Sequence, residues 1–186
     1  MLRTGSRKRL RTSQHLAALR HERIAFISGP LHLKSAMSRR RAFEQAMFEI
    51  QLAADESFII EGDHTLEGGA KAMRLLLAKR QCPTAVLCSN DMTALGVMRT
   101  CYEKSLSIPK DLSVIGFDDI KFAQFVLPPL TTVRMSQTEL AGIAFRALLA
   151  ELDRPTPSEH GTEYLLETSL VLRDSTAIAP NGASGR

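Results

Sequence analysis

A guanidinium, an amide and several carboxylates stand in this sequence where short apolar runs end. Asp118 and Asp119 follow LSVIGF, Asn90 and Asp91 follow TAVLCS, and Asp63 and His64 follow SFIIEG. Gly29 to Ser35 follow RIAFIS, with Arg39 one helical turn past Ser35. Arginine presents a rigid planar fork of donors, a carboxylate accepts from two hydroxyls at once, and an amide both donates and accepts. Such a set suits a polyhydroxylated or otherwise polar small molecule. Each residue also has a plainer use. Asn90 and Asp91, and equally Asp118 and Asp119, sit where helix N-caps belong. Arg39 opens a run with Arg40 and Arg41, and runs of this kind are mostly solvated surface.

Reaction chemistry lacks a motif. The Gly29 loop is not a GxxxxGKS/T phosphate loop, no GxGxxG follows an apolar run, and no GxSxG elbow is present. His15, His21, His32, His64 and His160 lack metal-ligand spacing. The neighbours Asp118 and Asp119 point in different directions in a helical turn, so neither assists the other as acid or base. No enzyme, no metal and no cofactor is expected. Cys82, Cys88 and Cys101 are odd in number and form no CxxC, which predicts three reduced thiols in or near the core rather than a disulfide frame.

The elements that must position these residues follow from periodicity. Strands are expected at Arg23–Ser28, Ser57–Ile60, Thr84–Cys88, Leu112–Phe117, Thr131–Met135 and Tyr164–Leu172. Helices are expected at Ser35–Ala53, Leu66–Lys79, from Ser89, Asn90 or Asp91 to Lys104, briefly to Gln124, and over Thr138–Leu152. Gly68 and Gly69 weaken the first turn of the second helix. The prolines of the RPTPSEHG segment end the last helix. Strand and helix in alternation imply right-handed crossovers and a doubly wound α/β fold with a mostly parallel sheet. Ligands bind such sheets outside the C-terminal strand ends, which is where the polar set lies.

At the fourth strand the sequence resembles a known family. IPKDLSVIGFDDI followed by PPLTTVRM is similar to the signature of the effector-binding domain of LacI/GalR-family bacterial transcriptional regulators. ERIAFISGP, PTAVLCSNDMTALGVMR and LVLRDSTA agree in order and spacing, so the resemblance covers residues 14–177. It implies a periplasmic-binding-protein-like sensor of two α/β subdomains around a small effector such as a sugar or nucleoside, preceded by a helix-turn-helix that binds operator DNA. It further implies that Arg39 grips hydroxyls or an equivalent polar group, with Asn90 and Asp118 completing the set. Ser35, Leu33 and His64 match cleft positions whose identity varies with effector. A homodimer is expected with it, and the absence of a signal-peptide core and of an 18-residue apolar run leads to the expectation of a cytoplasmic chain.

The departures from the family pattern carry expectations of their own. Nothing ahead of residue 14 matches, so the headpiece and the first half of the sensor are expected to be missing, one cleft wall with them, and effector affinity to be weak. The helix Thr138–Leu152 resembles the piece that returns to the absent subdomain. Its stripe of Leu140, Ile143, Ala144, Ala147 and Leu148 must dock elsewhere, pair with another chain, or stay exposed. Arg20 stands where glycine is usual. A fragment of a periplasmic sugar-binding transport protein and a non-functional gene remnant are the alternatives. Charge bears on a further one. The chain has 24 Lys and Arg against 20 Asp and Glu, net +4. Arg3, Arg7, Lys8, Arg9 and Arg11 supply five of those positive charges, leaving a net −1 (4 − 5) over the rest. The basicity therefore belongs to a head, residues 1–13, expected to be disordered and capable at most of nonspecific phosphate contacts. No apolar run reaches 18 residues and no signal-peptide core follows the basic residues, so no membrane span is expected. Residues 178–186 read as a tail.

Overall fold

The computed structural model describes residues 2–4, 6–52, 54–152 and 164–180. Its elements run β1 (Leu2–Thr4), α1 (Ser6–Ala18), β2 (Ile24–Ser28), α2 (Lys34–Glu49), β3 (Ile59–Glu61), α3 (Leu66–Leu77), β4 (Ala85–Cys88), α4 (Asp91–Glu103), β5 (Ser113–Asp118), β6 (Thr131–Met135), α5 (Gln137–Leu152), β7 (Tyr164–Leu166) and β8 (Thr168–Val171). Short 3-10 turns span Glu56–Phe58 and Lys121–Gln124.

Six strands form one sheet in the order β3-β2-β4-β5-β6-β8, parallel throughout except for β8, which runs antiparallel to β6. The reason lies in the strand sequences. All five residues of β2 are buried, so both its faces must be covered, and alternate residues divide between two cores. Ala25 and Ile27 pack with Met73, Leu76, Val97 and Val114 under α3 and α4. Ile24 and Phe26 pack with Leu16, Phe43 and Met47 under α1 and α2, where the Phe26 and Phe43 rings stack at 5.0 Å. This is the doubly wound architecture expected from the alternation of runs. Helices α3 and α4 touch backbone to backbone. A Cβ on Gly69 would come within 2.2 Å of Thr93 O and one on Gly96 within 2.0 Å of Leu66 O, so Gly69, weak as a helix former, is required by packing.

Several expectations need correction. The segment expected to be a disordered head instead has helical backbone from Ser6, and Leu16, fully buried under the sheet, anchors that helix. The single strand expected over Tyr164–Leu172 is two. β7 pairs in parallel with β1 in a separate two-stranded sheet, and β8 alone joins the main one. The first long helix stops at Glu49 rather than Ala53, since Gln51 turns left-handed with φ 57°. Cys82 is exposed, while Cys88 and Cys101 are buried as expected. The RPTPSEHG segment and residues 181–186 of the expected tail lie outside the described residues.

No residue of α5 is buried, and Phe145, Leu148 and Leu152 are each well over half exposed. Within the expected stripe Ala144 and Leu148 are exposed, while Leu140, Ile143 and Ala147 are half-buried. At the opposite end of the sheet from the strand C-termini, residues 175–179 are stitched down. His21, fully buried, has Nδ1 3.0 Å from Thr84 Oγ1 and Nε2 3.0 Å from both Ser113 Oγ and Ala177 O. Ser175 Oγ donates to Val114 O, and the Ala179 amide donates to Leu19 O at 2.8 Å. Burial lowers the His21 pKa, the hydrogen bond to Ala177 O opposes this, and nearby His15 adds to the lowering.

Candidate functional site

The C-terminal ends of β2, β4 and β5 converge beside the start of α2. Helix α2 begins at Lys34 without a side-chain cap from Leu33. Leu33 and Ser35 are exposed there. Arg39, one turn further, bends over the strand ends. Its guanidinium lies 4.0 Å above the Phe117 ring, donates to Ser89 O, and sits 3.7 Å from Asp118 Oδ1. Both charged side chains of this pair are largely buried, 18% and 27% exposed.

The pair is close but not hydrogen-bonded, and burial acts against both members. It lowers the Arg39 pKa despite the attraction of Asp118. It raises Asp118 to about 6, with Arg39 opposing and the Asp91 carboxylate adding to the rise. The site thus holds two opposite charges that compensate each other poorly.

His64 completes this edge. Its backbone is left-handed at φ 66°, and its ring lies across Gly29, where a Cβ would fall 2.0 Å from Nε2. Nδ1 is 3.2 Å from Ser89 Oγ. Burial and the neighbouring Arg39 lower its pKa against the pull of Asp63, which favours the neutral imidazole. Asn90 is the N-cap of α4. Its Oδ1 caps α4 by accepting from Thr93 N–H, and its Nδ2 donates to His64 O, both at 2.9 Å. Its amide therefore positions His64 from behind. Of the six residues expected in the cleft, Arg39, Asp118 and His64 come together, Asn90 supports them, and Ser35 and Leu33 lie on the rim.

Sequence reasoning missed Phe117 and Ser89, although both adjoin strand-end residues that it named. Behind Arg39 is a cavity of about 40 Å³ walled by Phe26, Phe43, Phe117, Val133, Thr12 and Ser13. Among the described residues no group of three His, Cys, Asp or Glu side chains is placed to hold a metal, and no helix is long and apolar enough to cross a membrane.

Residues 13–176 match the periplasmic binding protein-like domain family. Over 167 residues the chain is 41% identical to the HTH-type transcriptional repressor PurR of Glaesserella parasuis, covering 88% of this chain and 49% of that protein. The chain therefore spans about half the length of the curated relatives it matches. Among solved structures, the lac repressor dimer bound to operator and the anti-inducer ONPF superposes with a TM-score of 0.83 at 31% identity, covering 95% of this chain and 60% of that one. The complex of the transcriptional regulator CelR with cellobiose gives 0.82 at 29% identity, covering 94% and 53%. Match and geometry agree on one assignment: the chain belongs to the periplasmic binding protein-like domain family, as the C-terminal part of the effector-binding domain of a LacI/GalR-family transcriptional regulator.

Proposed function

We propose that this chain binds a sugar or a similarly polar small molecule, such as a nucleoside, and senses it for a cytoplasmic transcriptional regulator whose operator contacts are made by a helix-turn-helix outside these residues. It catalyses no reaction. The observation that carries this reading is the Arg39–Asp118 pair. The two opposite charges are buried at the strand ends 3.7 Å apart, without a hydrogen bond between them. A ligand hydroxyl between a guanidinium and a carboxylate relieves both, because it accepts from one and donates to the other. Ser35, Leu33 and His64 select among effectors from the rim. The cellobiose bound by CelR supports the carbohydrate class. In an intact sensor such binding shifts an equilibrium between two arrangements of the subdomains, which is how the signal reaches DNA.

Isothermal titration calorimetry against a panel of sugars and nucleosides, run to millimolar ligand, tests the site. Arg39→Ala and Asp118→Ala are each expected to weaken binding by about 10- to 100-fold, the loss of one charge-assisted hydrogen bond. Affinity unchanged in both variants would refute the assignment.

We also propose that the working unit is a homodimer. Tyr102 on α4 is 77% exposed, and Phe122, Phe125 and Leu127 on the segment after β5 are 69%, 66% and 91% exposed. Tyr102 and Leu127 line one groove with Met98, Leu106 and Pro128. An apolar patch of this kind on a soluble domain marks a protein interface, and the lac repressor neighbour is a dimer.

A further inference from the structure

Two consecutive residues at the end of β5 have left-handed backbone, Asp118 with φ 116° and Asp119 with φ 56°. Neither is glycine, and L-residues hold such angles only where their surroundings over-determine them. Here the surroundings are specific. The Asp119 carboxylate is shared by two arginines, Oδ1 accepting from Arg173 Nη2 at 2.6 Å and Oδ2 from Arg134 Nε at 2.5 Å. Arg173 is the buried partner, 15% exposed against 57% for Arg134, and its Nη1 donates to Leu130 O at 2.7 Å. Its fork therefore ties the strand end to the start of β6. One residue further, the Ile120 amide donates to Asp91 Oδ2 at 2.8 Å, while Asp91 Oδ1 accepts from Thr132 Oγ1. Asp91 is fully buried, and it fits because a Cβ at Gly116 would fall 2.1 Å from Oδ1.

Asp118 is thus bracketed. The backbone after it is fixed from α4, from β6 and from the chain segment beyond β8, three elements far apart in sequence. Among the described residues the Asp118 side chain has no comparable hydrogen bond, and Arg39 lies 3.7 Å from its carboxylate. A staple serving the fold alone has no need to hold two side-chain-bearing residues left-handed at a strand end. A staple serving the site does, because the reversed chain keeps the Asp118 carboxylate turned towards Arg39.

We propose that Arg173 and Asp119, backed by Asp91, are positioning residues of the effector site, holding the left-handed 118–119 backbone so that Asp118 faces Arg39 instead of solvent. The inference rests on the reading of Asp118 as an effector ligand. Its test needs no effector. The side-chain carboxyl carbon of Asp118, assigned with Asp118→Asn, is titrated by NMR in the full chain, where a midpoint of about 6 is expected. The charged groups that face it, Arg39 from α2 and Asp91 from α4, are kept, and Arg173→Gln is introduced.

Loss of a nearby positive charge alone raises a carboxyl midpoint. Release of Asp118 into water lowers it towards the ordinary value of about 3.9. The expected result is a fall of about one unit or more, a tenfold change in the ionisation constant. A midpoint that stays or rises in the folded variant overturns the proposal. If Arg173→Gln does not fold, Arg173→Lys keeps the charge and loses the fork. A smaller fall is then expected, and an unmoved midpoint overturns the proposal equally. A flat titration beside intact effector binding would sink the positioning role while sparing the site. A fall without any effector found would uphold the brace and count against the site.

Discussion

Asp118 is a residue the folded protein holds at a cost to its stability. In the unfolded chain it ionises at 3.8, and in the fold at about 6, because burial and Asp91 outweigh Arg39. A folded-state value raised above the unfolded one means that the native form binds the extra proton between those two pH values. Its contribution to stability is therefore fully present below 3.8 and lost as pH rises through 6. Asp118→Asn removes the charge. We expect it to stabilise the ligand-free protein by about 1–2 kcal/mol at pH 7 and by nearly nothing at pH 4, read from urea unfolding at the two pH values. Equal effects at both would contradict the electrostatic account. On the proposed reading the same substitution weakens effector binding, so stability and recognition conflict at one carboxylate. Asp119, one residue on, shows the opposite balance. Burial pushes its carboxyl up, but hydrogen bonds from Arg173 and Arg134 prevail and hold it below the ordinary range.

At the level of elements, α1 ends in a way its sequence handles poorly. The His21 amide donates to Leu16 O at 3.0 Å and the Arg20 amide to Ala17 O at 2.8 Å, with Arg20 left-handed at φ 64°. This is a Schellman closure, in which the left-handed position favours glycine. Arg20→Gly is expected to raise stability by about 0.5–1 kcal/mol, visible as an upward shift of the thermal midpoint. No gain would mean that the arginine side chain makes a compensating contact. The position stood out in the sequence because glycine is usual there in the family. Much else was legible the same way, since buried parallel strands are continuous apolar runs and their ends collect the ligand-facing residues. What was not legible depends on distant pairing. YLLETSLVL reads as one strand, and only the partners of its two halves, β1 and β6, divide it at Glu167. The charges before Thr12 hid a helix because the residue that anchors it, Leu16, lies in the following turns. Asn90 could be read as cap or ligand on local grounds; its Oδ1 does cap α4 at Thr93, and its contact with His64 O, 26 residues away, had no local signal. Arg173 meets Asp119 across 54 residues, and no local pattern announces such a contact.

On the scale of the whole molecule, two apolar surfaces lie on different elements. The one around Phe122, Phe125 and Leu127 is expected to join two copies, so sedimentation equilibrium should give a dimer. Leu127→Lys should shift it towards monomer by about tenfold or more in dissociation constant, as burying an unpaired ammonium requires. A monomer at high micromolar concentration, or a dimer indifferent to Leu127→Lys, would place the contact elsewhere, with the exposed stripe of α5 next to be tested by Leu148→Lys. The stitched end of the molecule bears on how the chain comes to be folded at all. Residues 175–179 close onto Leu19, His21, Ser113 and Val114, pairing the last-made part of the described chain with one of the first. During synthesis, the polar groups of His21 and Ser113 wait for partners that the ribosome has not yet released. The sheet can assemble as it emerges, but it cannot be locked until residues 175–179, made more than 60 residues after Ser113, are themselves free to pack.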